Sequence, residues 1–327
     1  MRDQYLWDRT GEPDPDVVRL ERSLGALRQR HGALDYTRMP AARPARTACW
    51  AFPQALLAAA ASVIVLAAVA YWPRPASVPD AVPHLWAVAS IEGAPRIDAG
   101  LLGGEARLAA GGWVETDASS RARLSATGVG MIDVEPGTRV RVVKSAPGEH
   151  RLALTRGALH ARIWAAPGRF SVETPSAMAV DLGCSYRLEA DESGAGRLHV
   201  TLGWVGLDGE GLEALVPRDA ICRLRPGAGP GIPYFDDAPP RLVDALGVIE
   251  SGDPAALDAA VETAVAAARP RDALSLWHLL QRVKGNDAGL VFARLAALAP
   301  PPPTVTRDLI LSKDRGALEA WWNTLGY

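Results

Sequence analysis

The chain has 327 residues, 35 Lys and Arg against 37 Asp and Glu, and a formal net charge of -2. That length allows two domains of ordinary size, and the interspersed charge gives no general reason to expect direct binding to nucleic acid. Three cysteines, Cys49, Cys184 and Cys222, with no C-x-x-C pair, argue against a zinc or iron–sulfur site, and the odd count argues against a disulfide-stapled scaffold. Lys stands only at 144, 284 and 313, the rest of the basic residues being Arg; with abundant Ala, Gly and Pro this is the bias of a GC-rich, bacterial genome.

Residues 1–49 are predicted to form a cytoplasmic segment with one amphipathic helix. Asp14 is placed to cap it, Pro15 fits its first position, and Val17, Leu20, Leu24 and Leu27 share a face. Leu6 and Trp7, just upstream, extend the apolar surface. A single helix of about sixteen residues has nothing large of its own to bury against. It therefore either folds onto a cytoplasmic partner, or lies on lipid or pairs in a dimer.

From Ala55 to Trp72 the sequence reads ALLAAAASVIVLAAVAYW, with Ser62 the one polar side chain. At about 1.5 Å per residue, roughly 20 apolar residues cross a hydrocarbon core of ~30 Å. Extension back to Trp50, with Pro53 in the first turn, reaches that length, so residues 50–72 are predicted to span a bilayer, with Trp50, Tyr71 and Trp72 at its interfaces. The stretch begins about fifty residues in, too late for a signal peptide. A buried Ala-rich core helix is the competing reading. Arg38, Arg43 and Arg46 precede the run and Arg74 alone follows closely, which keeps the N-terminus inside a bacterial inner membrane and puts the C-terminus in the periplasm.

Residues 73–87 form a linker with Pro73, Pro75, Pro79 and Pro83. Over 88–225 the pattern alternates with period two, in Arg121–Ser125, Arg139–Val143, Leu159–Trp164, Phe170–Glu173, Met178–Leu182, Ser185–Leu188 and Leu198–Leu202. Pro136-Gly137 marks a turn between two of these runs. Short strands bounded by Gly, Pro, Asp and Ser predict an all-β sandwich or solenoid-like domain.

An ordered series of segments carries a family resemblance: Gly112-Trp113-Val114-Glu115-Thr116, Val134-Glu135-Pro136-Gly137-Thr138, Leu154-Thr155-Arg156-Gly157-Ala158-Leu159, Phe170 to Pro175, Leu182-Gly183-Cys184-Ser185-Tyr186, and Val200 to Val205. Over roughly residues 88–224 it resembles the periplasmic domain of the FecR family. The resemblance implies a regulator that crosses the inner membrane once, engages an extracytoplasmic-function sigma factor or other cytoplasmic regulator through its N-terminal segment, and meets a periplasmic or outer-membrane protein with the rest. The first 49 residues lack the His-x-x-x-Cys-x-x-Cys signature of zinc-containing anti-sigma domains, so no metal is implied. Cys184 stands where the family usually has a small hydroxyl residue. With Cys222 on a later predicted strand, the two are either a disulfide or two separate buried thiols.

Residues 226–240 are a Gly/Pro-rich linker, and 241–327 turn to helical spacing. Asp253-Pro254 opens a helix to about Ala268. Asp272 is expected to cap the next, with Leu274, Trp277, Leu280 and Val283, and Asn286 precedes a third. Prolines 300–303 stop that helix, and Thr306 and Asp314 each start a short one. A helical bundle or HEAT-like array is expected. Trp277, Trp321 and Trp322 are either a recognition face or core.

No catalytic constellation is present: His160 and His199 lie on predicted strands with no nucleophile motif nearby, and the glycines of 227–231 lack the Lys and helix start of a phosphate loop. Asp236-Asp237 reads as a solvated turn or a cation-binding loop. The expectation is a protein that is not an enzyme and has no cofactor and no metal. It is a FecR-like single-pass membrane regulator relaying an envelope signal to a cytoplasmic partner, or else a membrane-tethered binder of protein, glycan or cell wall with no transcriptional role.

Overall fold

In the computed structural model, residues 85–98 and 100–327 are described. The predicted helix with Leu6, Trp7, Val17, Leu20, Leu24 and Leu27, and the predicted span over 50–72, lie outside them. Among the described residues no helix is long and apolar enough to cross a membrane.

Alternation of side chains generates eighteen strands among the described residues: β1 (Trp86–Glu92), β2 (Arg96–Ile97), β3 (Gly100–Leu101), β4 (Glu105–Leu108), β5 (Trp113–Glu115), β6 (Arg121–Ala126), β7 (Gly130–Val134), β8 (Arg139–Ala146), β9 (Glu149–Ile163), β10 (Phe170–Glu173), β11 (Met178–Asp181), β12 (Ser185–Ala190), β13 (Gly196–Leu202), β14 (Trp204–Gly209), β15 (Leu212–Pro217), β16 (Ala220–Arg225), β17 (Gly229–Pro230) and β18 (Tyr234–Phe235). They hydrogen-bond into one large mixed sheet with two faces. One runs β4-β1-β6-β7-β9-β12-β13-β16, with β17 and β18 both on β16. The other runs β3-β2-β5-β8-β9-β10-β11-β14-β15, and its β9–β10 pair is parallel.

Strand β9 belongs to both. Its first half pairs with β8 and β10, its second half with β7 and β12, and the change falls at Gly157. There φ is +92°, and a Cβ would collide with Thr138. The buried Thr138 hydroxyl accepts from Ala158 N at 2.9 Å, and the buried Thr116 hydroxyl accepts from Thr138 N at 2.9 Å while donating to the Glu135 carbonyl at 2.6 Å. A bend needs a residue without a side chain and partners for the backbone groups it frees. Gly157 supplies the first, and the two threonines supply the second. The sequence pattern captures only the second half of β9, because a glycine inside an alternating run reads as a strand end.

The inner faces of both halves meet in one apolar core, in which the ring of Trp86 lies 6.1 Å from those of Phe170 and His150.

Beyond β18 the period becomes helical: α1 (Pro240–Ser251), α2 (Leu257–Ala267), α3 (Ala273–Leu280), α4 (Gly285–Leu298), α5 (Arg307–Leu311) and α6 (Arg315–Trp322). Thr306 and Asp314 cap α5 and α6, their side chains accepting from Leu309 N and Ala317 N. Asp272 does not cap α3. Its carboxylate turns back to accept from Arg269 N at 2.8 Å and from the Arg269 guanidinium. All eight residues of α3 are buried. Leu274 enters the β core, while Leu276, Trp277, Leu279 and Leu280 belong to a second core with the other helices. The β sheet and the helices thus share one compact unit.

Candidate interaction surfaces

The register sets charged residues side by side across the outer face of the first sheet. One row is Arg123, Asp133, His160, Arg187 and His199, each on a neighbouring strand. Three carboxylates each hold two basic side chains there. Asp133 takes Arg123 at 2.5 Å and Arg162 at 2.9 Å, Glu135 takes Arg121 at 3.2 Å and His160 at 3.4 Å, and Glu189 takes Arg187 and Arg197. Partly exposed pairs of this kind stabilise by only ~0.2–1 kcal/mol each, so their main effect is to hold the guanidinium groups in place. Desolvation lowers the His160 pKa more than Glu135 raises it, so that ring is neutral at ordinary pH and the net cationic character is that of the arginines. Arg121, Arg187 and Arg197, with Glu135 and Glu189, border a groove of about 680 Å³ whose floor includes Gly157, Ala158 and Gly196. The signal for this lattice was present in the sequence as basic residues at alternate positions, Arg121/Arg123, His160/Arg162 and Arg197/His199. Sequence reasoning did not single it out.

A second depression, of about 620 Å³, lies where strands meet helices and is lined by Trp204, Phe235, Arg271 and Tyr327 among others. The Arg271 guanidinium sits 4.1 Å over the Phe235 ring, and the Tyr327 hydroxyl donates to the Arg271 carbonyl at 3.3 Å. Asp237 faces this seam as an ion-pair acceptor. It binds Arg269 and Arg271, each at 3.1 Å, and its pKa is lowered chiefly by the Arg269 hydrogen bond. Just past the C-terminal end of α3, the Arg282 guanidinium donates to the carbonyls of Pro230 at 3.0 Å and Gly231 at 2.7 Å. The buried Glu250 accepts from Ile232 N at 2.6 Å and faces Arg223 at 3.6 Å.

Burial decides the two alternatives that the sequence leaves open. Cys184 and Cys222 are both buried free thiols and form no disulfide. Cys184 donates to Asp181, and desolvation followed by that contact pushes its pKa up. Cys222 donates to the Gly231 carbonyl at 3.4 Å, and burial raises its pKa to about 12. Trp277 and Trp321 are core rather than a recognition face. Trp321 is fully buried, donates from Nε1 to the Ala299 carbonyl at 3.0 Å and meets Trp277 edge-on. Trp322 is partly buried between Trp277 and Trp204 and so joins helix to sheet. Among the described residues no group of three or more His, Cys, Asp or Glu is arranged to hold a metal ion.

Residues 113–205, from β5 into β14, match the family model described as FecR protein. The chain therefore carries a FecR domain, the class of module that the alternating segments resemble. No curated protein matches the sequence. Among solved structures, two crystal structures of a candidate anti-sigma factor from Parabacteroides distasonis are similar, each at 16% identity and a TM-score of 0.34. The matches cover 41% of this chain and 63% and 62% of those chains, so this chain spans less than two thirds of their length.

Proposed function

We propose that the protein is a FecR-like single-pass regulator of a bacterial inner membrane, with residues 1–49 cytoplasmic, 50–72 spanning and the described residues periplasmic. In this reading it relays an envelope signal to a cytoplasmic partner, an extracytoplasmic-function sigma factor. The observation that carries the reading is the FecR match over 113–205, downstream of the apolar run Ala55–Trp72 with its arginines on the N-terminal side. The apolar stripe of Val17, Leu20, Leu24 and Leu27 supports a partner-binding role for the first segment, because a lone amphipathic helix gains most of its stability from a surface supplied by something else. In the described part, the fixed arginine lattice and the seam groove are surfaces that suit recognition.

The test is affinity purification of the tagged full-length chain from its native host, with transcript profiling of a strain lacking residues 1–49. A co-purifying sigma factor and a changed regulon are expected. A chain that retains no sigma factor and a strain with unchanged transcripts would reject the reading.

A further inference from the structure

The β domain has two chemically different ends. Pairing partners place Ala87 at the start of β1 in one row with Ser125, Met131, Arg162, Ser185 and Leu202. The chain thus enters the domain at the end that carries the β13–β14 turn. Trp164 follows Ile163, whose N–H donates to the Cys184 carbonyl, and Leu182 N donates to the Trp204 carbonyl, so both flank that turn. Trp164 is 58% exposed, Leu202 57%, and Leu182 and Leu85 each 37%. Around them Arg107, paired with Ala87, and Arg162, Arg169 and Arg218 are exposed. Two of these four are held by carboxylates, Arg162 by Asp133 at 2.9 Å and Arg218 by Asp219 at 3.4 Å, and Lys144 holds Glu149.

The opposite end carries charges of both signs. Glu92 closes β1 and pairs with Arg121 at 3.9 Å, and the turn after β12 exposes Asp191 and Glu192, of which Glu192 pairs with Arg156 at 2.8 Å. The exposed Arg139 shares a row with Glu115 and Arg156.

We propose that the end bearing Trp164, Leu182 and Leu202 rests on the anionic headgroup surface of a bilayer. Tryptophan and leucine enter the interfacial layer, and the arginines around them meet the lipid phosphates. Two observations converge on that occupant. Exposed Trp and Leu ringed by Arg are the composition that binds an anionic lipid interface. The chain outside the described residues also limits the distance: residues 73–84, fully extended, reach about 40 Å from the end of the predicted span to Leu85, which lies at this same end. This proposal rests on the reading that residues 50–72 span the membrane.

The experiment uses the full-length chain carrying Cys49→Ser, reconstituted into vesicles of phosphatidylcholine with or without phosphatidylglycerol. An environment-sensitive fluorophore is attached at Leu202→Cys or, as the control, at Glu192→Cys. Brominated lipid should quench the label at 202 roughly threefold more than at 192 in the anionic vesicles. The excess should shrink in 1 M salt, where the Debye length falls to about 3 Å, and with Arg162→Glu combined with Arg218→Glu. Equal quenching at both positions in a chain that resists carbonate extraction overturns the docking alone. A chain that carbonate extracts overturns the spanning reading and the docking with it.

Discussion

Acidification from pH 7.5 to 5 probes the packing of α3 against the sheet through His278. The ring is buried among Trp322, Arg282 and the Leu215 backbone, and among the described residues its Nε2 has no hydrogen-bond partner. Desolvation, reinforced by the nearby Arg282 charge, pushes its pKa down to about 3. In the unfolded chain the same ring takes a proton near pH 6.5. Protons therefore favour the unfolded state between those values. The stabilisation is complete above pH 6.5 and is lost as the pH falls toward 3. With those two constants the loss is about 2 kcal/mol at pH 5 and about 4 kcal/mol at pH 3. His278→Leu keeps a similar volume and removes the titration. It leaves Asp181 and His160, whose own shifts add to any acid profile, unchanged. Urea unfolding of both proteins at a series of pH values should give curves that diverge below pH 6.5, with the variant flatter by about 2 kcal/mol at pH 5. Parallel curves would refute the neutral, buried state of this ring.

Gly157→Ala places a methyl group against Thr138 at a φ of +92°, and is expected to destabilise by about 2–4 kcal/mol, read as a lowered melting temperature, where an ordinary Gly→Ala change in a strand is mild or stabilising. Trp321→Ala should cost ~3–5 kcal/mol in urea unfolding, while Trp321→Phe, which loses mainly the Nε1–Ala299 hydrogen bond, should cost about 1–2 kcal/mol. Both free thiols should resist maleimide in the folded chain carrying Cys49→Ser and react on unfolding, and a reductant should leave the melting temperature unchanged.

Local features were readable from the residues. Phe170–Glu173 forms a strand with the bounds its alternation gives, and Thr306 and Asp314 cap helices because a hydroxyl or carboxylate three residues ahead of a free N–H acts within one turn. Features set by distant residues were hidden. Asp272 carries the same capping chemistry, yet Arg269 offers its carboxylate a charged partner and wins. The burial of Trp321 depends on Phe292 and Ala299, and nothing in the spacing of α6 distinguishes a core tryptophan from an exposed one. Cys184 lies in the turn just before β12 and Cys222 on β16, but whether two thiols meet depends on how distant segments pack; Cys184 instead donates to Asp181 in its own turn and Cys222 to the Gly231 carbonyl. The arginine lattice was likewise present as a pattern, but its meaning came only when pairing brought Asp133, Glu135 and Glu189 between the strands.

Helix α3 bears on whether the β sheet and the helices act as one body. Its eight residues are all buried, and they divide between the two cores, with Leu274 in that of the sheet and Leu276, Trp277, Leu279 and Leu280 in that of the helices. Separating the halves would expose both sets and strip Arg282 of its carbonyl acceptors at Pro230 and Gly231. Ser275, whose hydroxyl donates to the Pro233 carbonyl at 2.8 Å, would be stripped as well. An element shared in this way makes opening of either half costly to the other. Leu274→Ala, a loss of about 2–5 kcal/mol by the usual cost of a buried leucine, should therefore weaken both halves together. Measured by amide hydrogen exchange, protection in β13 and β16 should fall by the same free energy as protection in α4. A loss confined to the strands, with α4 unaffected, would mean that the helices hold together alone. A signal received by one half would then have no rigid route to the other.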